Sequence, residues 1–218
     1  MDFSPIEYTD LSIQAYERIK EMILSGKLKP GEKLYQEKLA ASLGISRMPL
    51  HKAFQMLEDE FFLESRPRRG FFVRQTDIRE IIEAFECREG LEGIAARRAA
   101  NNLSSDQIYD LKELVQPFIH QDNIDMFDYQ RSDQAFHEMI IQASHNSVLQ
   151  KLNNIGNVLI RTFPKGIILP VRESIQDHLL IIDAIEQRNP DVAEKLIRNH
   201  SKKARYILEK QLIKNMEE

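Results

Sequence analysis

QEKLAASLGISRMPLHKAFQML, residues 36–57, sets a helix stop and a helix start two residues apart. Gly44 tolerates the left-handed backbone that closes a helix, so a short helix of about Gln36–Leu43 is predicted to end there. Ser46 is a preferred N-cap residue. Pro49 falls in the first turn of the next helix, where a missing N–H costs little. Leu50, Ala53, Phe54 and Leu57 then recur at helical spacing. The pattern is helix, tight turn, helix.

Upstream, Tyr16, Ile19 and Ile23 form the inward face of a helix over about Ser12–Ser25, which Gly26 and Lys29-Pro30-Gly31 bring to an end. Downstream, Phe62-Leu63-Glu64-Ser65 and Gly70-Phe71-Phe72-Val73 read as short strands around the basic Arg66-Pro67-Arg68-Arg69. A two-stranded ribbon tipped by arginines suits phosphate or a minor groove. Residues 1–75 therefore read as a winged helix-turn-helix domain for double-stranded DNA. Recognition helices meet base edges with their N-terminal residues. Here those include Ser46, Arg47, His51 and Lys52, while Arg68, Arg69 and Gly70 fall at the wing tip. Arg47 has the chemistry for a bidentate contact to guanine O6 and N7, worth about 1–3 kcal/mol in discrimination. His51, four residues along the same face, is shorter and at most partly charged near neutral pH.

After Val73 the chain changes character. Gln75-Thr76-Asp77 is a short polar junction with a helix start at Thr76 or Asp77. Helical patterns over about 77–100, 104–121, 124–144, 146–164, 171–188 and 190–214 predict an antiparallel bundle of about six helices for residues 76–218. Ser104 ahead of Gln107 resembles a capping box, and Pro164, Gly166 and Pro170 mark an irregular link. The fold class is mainly α.

Three of the predicted helices carry histidine on the apolar face. Asp133 and His137 align with Tyr129, Phe136 and Ile140. His178 is flanked by Val171, Ile175, Ile181, Ile182 and Ile185, and His200 by Ala193, Leu196, Ile197, Ala204 and Ile207. Asn189-Pro190 interrupts the last two helices, with His178 eleven residues before Asn189 and His200 eleven after it. A hairpin folded there sets both rings at a similar height. An isolated core histidine is ordinarily a hydrogen-bonded packing residue. Four such groups on three helices, however, suggest one internal polar centre, most simply a divalent metal site. Three imidazoles and a carboxylate suit zinc first, with nickel, manganese and iron also compatible.

Composition narrows the class further. The 218 residues have room for one large or two small domains. The longest apolar runs fall far short of the roughly 20 residues of a membrane span. The start MDFSPIEYTD lacks the basic and apolar regions of a signal peptide. A cytoplasmic protein with no membrane partner is expected. The single cysteine, Cys87, has no internal disulfide partner and reads as a small packing residue. Charge is uneven: residues 12–76 hold twelve Lys/Arg against eight Asp/Glu, a balance of +4, whereas residues 77–218 hold 18 against 23, a balance of −5. Only the first region has the sign that suits a polyanion.

Gly26-Lys27-Leu28-Lys29-Pro30-Gly31-Glu32-Lys33-Leu34, then Leu39-Ala40, Leu43-Gly44-Ile45-Ser46-Arg47-Met48-Pro49-Leu50 and Pro67-Arg68-Arg69-Gly70 resemble the winged helix-turn-helix of GntR-type transcriptional regulators. Asp133-x3-His137, His178 and His200 resemble the all-helical effector domain of the FadR-like branch, in which the matching positions bind a divalent metal. The resemblance implies a homodimer on a roughly palindromic operator, with DNA affinity changed when a small metabolite, commonly a carboxylate, binds beside the metal. It also implies that Arg47 reads bases and that Gly70 lies at the wing. The chain departs from the family pattern at His51-Lys52, where Arg-Glu is typical, and at Phe61, where glycine is usual.

Two arginines are candidates for holding an effector, expected to be an organic acid. Arg88 lies in the stripe of Ile81, Ala84, Phe85, Glu92 and Ala95, a costly place for a guanidinium unless it meets an anion. That anion is either an effector carboxylate or Glu92 at i+4. Arg161 shares a polar face with Asn154 and Asn157. The function expected is effector-controlled, sequence-specific DNA binding rather than catalysis. The alternative is a metal-dependent enzyme in which the Asp/His site activates water and Glu138 acts as base. Against it, neighbouring helix residues point about 100° apart, which turns Glu138 away from His137.

Overall fold

The computed structural model of the protein describes residues 10–162 and 168–217, and of residues 155, 157, 161, 162 and 217 it describes the backbone only. The chain divides into two compact units after Thr76.

The first unit contains α1 (Leu11–Leu24), β1 (Lys33–Leu34), α2 (Gln36–Leu43), α3 (Arg47–Asp59), β2 (Leu63–Arg66) and β3 (Gly70–Val73). Helix α1 is capped by the Asp10 carboxylate, which accepts from Ser12 N at 3.0 Å. It lays Tyr16, Ile19 and Ile23 against α3, whose Leu50, Ala53, Phe54 and Leu57 are fully buried. Tyr16 Oη donates to Glu60 Oε2 at 2.6 Å, tying α1 to the end of α3. Ser46 occupies the N-cap of α3, but its side chain makes no capping hydrogen bond. The residue expected to cap the helix is instead exposed at that end.

The ribbon predicted as two strands has three. All pair antiparallel in the order β1-β3-β2, with Lys33 opposite Phe72 and Arg66 opposite Gly70. A two-residue strand is too short to show the alternation by which strands are read from sequence. The sheet packs on the helices through Phe71, whose ring meets Phe54 edge-on at 5.0 Å.

Two helix ends explain the turn chemistry. After α2, Ile45 N reaches Ala40 O at 3.1 Å and Gly44 N reaches Ala41 O at 3.3 Å, with Gly44 at φ +67°. This is the paired closure that requires a left-handed residue. After α3 the same closure recurs, Phe62 N to Leu57 O at 2.8 Å and Phe61 N to Glu58 O at 3.0 Å. Here Phe61 holds the left-handed position at φ +65°. The glycine usual at this point in the resembling family thus has a physical reason, and Phe61 sits there under strain.

The second unit is helical: α4 (Ile78–Asn102), α5 (Ser105–Val115), α6 (Met126–Ala143), α7 (Ser147–Thr162), α8 (Val171–Glu186) and α9 (Pro190–Glu217). Capping boxes start α4 at Asp77 with Glu80 and α5 at Ser104 with Gln107. The helix expected to run to residue 121 instead ends at Val115 and tightens into a 3-10 turn over Gln116–Phe118. Pro117 has no N–H for the carbonyl four residues back, so the α-helical ladder cannot continue. The expected end of the helix over 146–164 and the Pro164 and Gly166 link fall on residues 163–167, outside the described residues. Helix α4 packs along α9 and also meets α6, α7 and α8. Cys87, expected to pack, is exposed. Among the described residues no helix is long and apolar enough to cross a membrane.

Gly44→Ala tests the turn. No atom lies within 4 Å of the added Cβ, so the penalty is backbone conformation alone. Urea unfolding of the full chain should show a loss of about 1–2 kcal/mol, with Gly44→Asn losing less.

Candidate metal centre and recognition surface

In the first unit, Arg47 begins α3 and is well exposed at 68%, with its guanidinium paired to Glu37 of α2. His51 is exposed one turn on and meets the edge of Phe71 at 5.8 Å. Lys52 pairs with Asp10 at 3.1 Å. Between β2 and β3, Arg69 N bonds Arg66 O at 2.9 Å, with Arg68 at φ +61°. Pro67 before a left-handed Arg68 is the arrangement of a type II turn. It exposes Arg68, Arg69 and Gly70 at the tip. Met48, 83% exposed beside Arg47, adds an apolar group to the same helix end.

In the second unit, α6 supplies Asp133 and His137, α8 supplies His178 and α9 supplies His200. One potential ligand atom from each lies within 4.8 Å of all the others. His137, His178 and His200 are 2%, 1% and 6% exposed. Asp133 Oδ1 stands 3.6 Å from His178 Nε2 and 4.0 Å from His137 Nε2, both beyond a good hydrogen bond. These two Nε2 atoms are buried without a hydrogen-bond partner among the described residues. Orphaned nitrogens that converge on a carboxylate fit a metal ion, which would satisfy them together. Donors held about 2.1 Å from an ion lie roughly 3–4 Å from one another.

The rings are oriented from outside the cluster. His200 Nδ1 is 3.2 Å from Asp177 Oδ2, leaving Nε2 as the nitrogen it can offer. Lys203 holds that carboxylate at 2.8 and 3.0 Å. His137 Nδ1 lies 3.0 Å from Glu92 Oε1, within reach though off the line of a full hydrogen bond. His178 stacks on Phe136, with ring centroids 3.9 Å apart. Burial, then the neighbouring His200 and His137, push the His178 pKa well below 6.5. Burial, then Arg88, also lower that of His137. Both shifts favour the neutral ring, the form that ligates metal.

Arg88 meets Glu92, one of its two expected partners. Its Nε donates to Glu92 Oε1 at 2.6 Å, and the pair is 10% and 0% exposed. Burial alone would raise the Glu92 pKa, but Arg88 and His137 outweigh it and hold the carboxyl at about 2. Arg161 lies on α7, and its side chain is outside the described residues. Glu138 is exposed. Sequence reasoning finds all four members of the cluster but misses what surrounds it. Glu92 is visible only as a partner for Arg88, and Asp177, one residue before His178, carries no signal of its own. Tyr129 passes as an apolar stripe residue, yet its buried hydroxyl has no hydrogen-bond partner among the described residues.

A helix-turn-helix unit joined to this helical unit defines a class of bacterial transcriptional regulators. Residues 11–73 match the bacterial regulatory proteins of the gntR family, and residues 83–203 match the FCD domain. The chain belongs to the GntR family and carries the FCD effector domain, which is like the C-terminal domain of FadR. It is similar to the probable D-xylose utilization operon transcriptional repressor of Paenarthrobacter nicotinovorans, 30% identical over 88% of this chain and 86% of the other. It is also similar to the HTH-type transcriptional regulator YdhC of Bacillus subtilis, 27% identical over 91% of each. The solved structure of E. coli McbR/YncC matches with a TM-score of 0.73 at 25% identity, over 94% of this chain and 100% of that one. Fold and relatives are those of transcriptional regulators, not enzymes.

The buried pair yields a stability prediction. Arg88→Met leaves Glu92 charged and unpartnered by a cation, and urea unfolding should show a loss of about 3–5 kcal/mol. Arg88→Met with Glu92→Met should recover most of it, because the whole pair is then apolar.

Proposed function

We propose that the protein is a sequence-specific regulator whose operator affinity is controlled by a small organic acid bound beside a divalent metal ion. The observation that carries this reading is the cluster of buried His137, His178 and His200 with the partly buried Asp133, including its unsatisfied nitrogens, in a chain that also bears a winged helix-turn-helix. Residues 1–75 are the DNA-binding part, through Ser46, Arg47, His51, Lys52, Arg68, Arg69 and Gly70. Residues 76–218 hold metal and effector and form a homodimer, which presents two recognition helices to a palindromic site. The protein works in the cytoplasm. Bound zinc, or nickel, manganese or iron in its place, supplies a Lewis acid that attracts a carboxylate. Arg88, almost buried beside the cluster, is the cation for that same ligand, and Arg161 is a second candidate. Effector binding favours one conformation of the helical unit and so changes DNA affinity.

Selection of binding sequences from random duplex DNA tests the first half. The metal-loaded protein should enrich a palindrome, and Arg47→Ala should weaken binding or relax one position per half-site; an unchanged motif with the variant would assign base reading elsewhere. Elemental analysis tests the second half. His178→Ala with His200→Ala should lose the metal that the unsubstituted chain retains after dialysis, whereas stoichiometric metal in the double variant would refute the site.

A further inference from the structure

We infer that Glu92 is a positioning residue for the metal centre, holding His137 by Nδ1 and dividing one carboxylate between that ring and Arg88. This rests on the proposed metal centre and concerns a residue outside the ligand set. Glu92 is 0% exposed and, from α4, meets partners on α4 itself, on α6 and on α9. Its Oε1 is shared, lying 2.6 Å from Arg88 Nε and 3.0 Å from His137 Nδ1, while Oε2 accepts from Ser201 Oγ of α9 at 3.3 Å. A salt bridge serving stability alone would need only Arg88. The same oxygen instead also faces the one ring nitrogen of His137 that does not face Asp133.

An imidazole whose Nδ1 faces a carboxylate favours the Nδ1–H tautomer and presents an Nε2 lone pair. His200 has a carboxylate at the same ring position, its Nδ1 hydrogen-bonded to Asp177 Oδ2 at 3.2 Å. Two of the three rings thus have a carboxylate behind them, one from α4 and one from α8. Because Arg88 and His137 share Oε1, an anion that takes Arg88 leaves that oxygen to His137.

The test uses the full chain and zinc alone as probe. Zinc affinity is measured by chelator competition for the unsubstituted protein, for Arg88→Met/Glu92→Met, which has no buried unpaired charge, and for Arg88→Met/Glu92→Gln, which keeps an acceptor. The first double variant should bind zinc about 10–100-fold more weakly, and the second should recover part of the loss. In zinc-free protein, imidazole nitrogen NMR should show His137 as a single Nδ1–H tautomer that becomes a mixture only in the first variant. Equal affinities together with an unchanged tautomer would overturn the inference. If the unsubstituted protein binds no zinc, the metal reading fails, and the tautomer measurement alone then decides whether Glu92 positions His137.

Discussion

A carboxylate with no access to water must be met from every side by protein, and Glu92 imposes that condition on the helical unit. Its partners come from α4 itself, from α6 and from α9. These helices must therefore keep one rotation and one height relative to each other. Apolar stripes alone would tolerate sliding by a turn, because one leucine or isoleucine fills a gap much as another does. The polar centre removes that freedom. The apolar core, from Ala95 and Ala99 through Phe136, Ile140 and Ile181 to Ile197, is assembled around a layer that has one satisfactory arrangement.

The first unit depends on a different constraint, the geometry of the turn between α2 and α3. Gly44 closes α2 in a left-handed conformation, and three residues later Arg47 opens the helix whose first turn faces outward. The inner face of α3 is fixed by Leu50, Phe54 and Leu57. The outward direction of Arg47, His51 and Lys52 follows from the same periodicity. Arg47 is not left as a bare cation, since Glu37 reaches it from the preceding helix.

Much of this was legible in the sequence because periodicity reports which face of an element is buried. The stripes around His137, His178 and His200, the Asn189-Pro190 break and the Ser104 capping box are local patterns of that kind. Contacts between helices are not. Asp177 neighbours His178 and so faces another way on α8, yet it meets His200 because α9 packs antiparallel beside it. Nothing local marks β1 as a strand, because Lys33-Leu34 acquires its role only by pairing with Phe71 and Phe72. Two local features do account for differences from the expected pattern. Pro117 breaks the ladder of α5, and position 87 falls off the 81, 84, 85, 88, 92 face of α4, which leaves Cys87 in solvent.

Four of the described residues other than glycine adopt positive φ: Phe61, Arg68, His145 and Arg188. Each bears a side-chain clash that glycine would not have, on the order of 1 kcal/mol. Arg68 belongs to the tip between β2 and β3, and Arg188 donates from its guanidinium to Ala100 O at 3.0 Å. The other two, at the ends of α3 and α6, lie outside the Asp/His cluster and the exposed first turn of α3. The Phe61 ring also carries the Arg74 guanidinium, 5.1 Å from its centroid, so exposed His145 is the place where relief of left-handed strain can make the chain more heat-resistant for crystallisation or directed evolution.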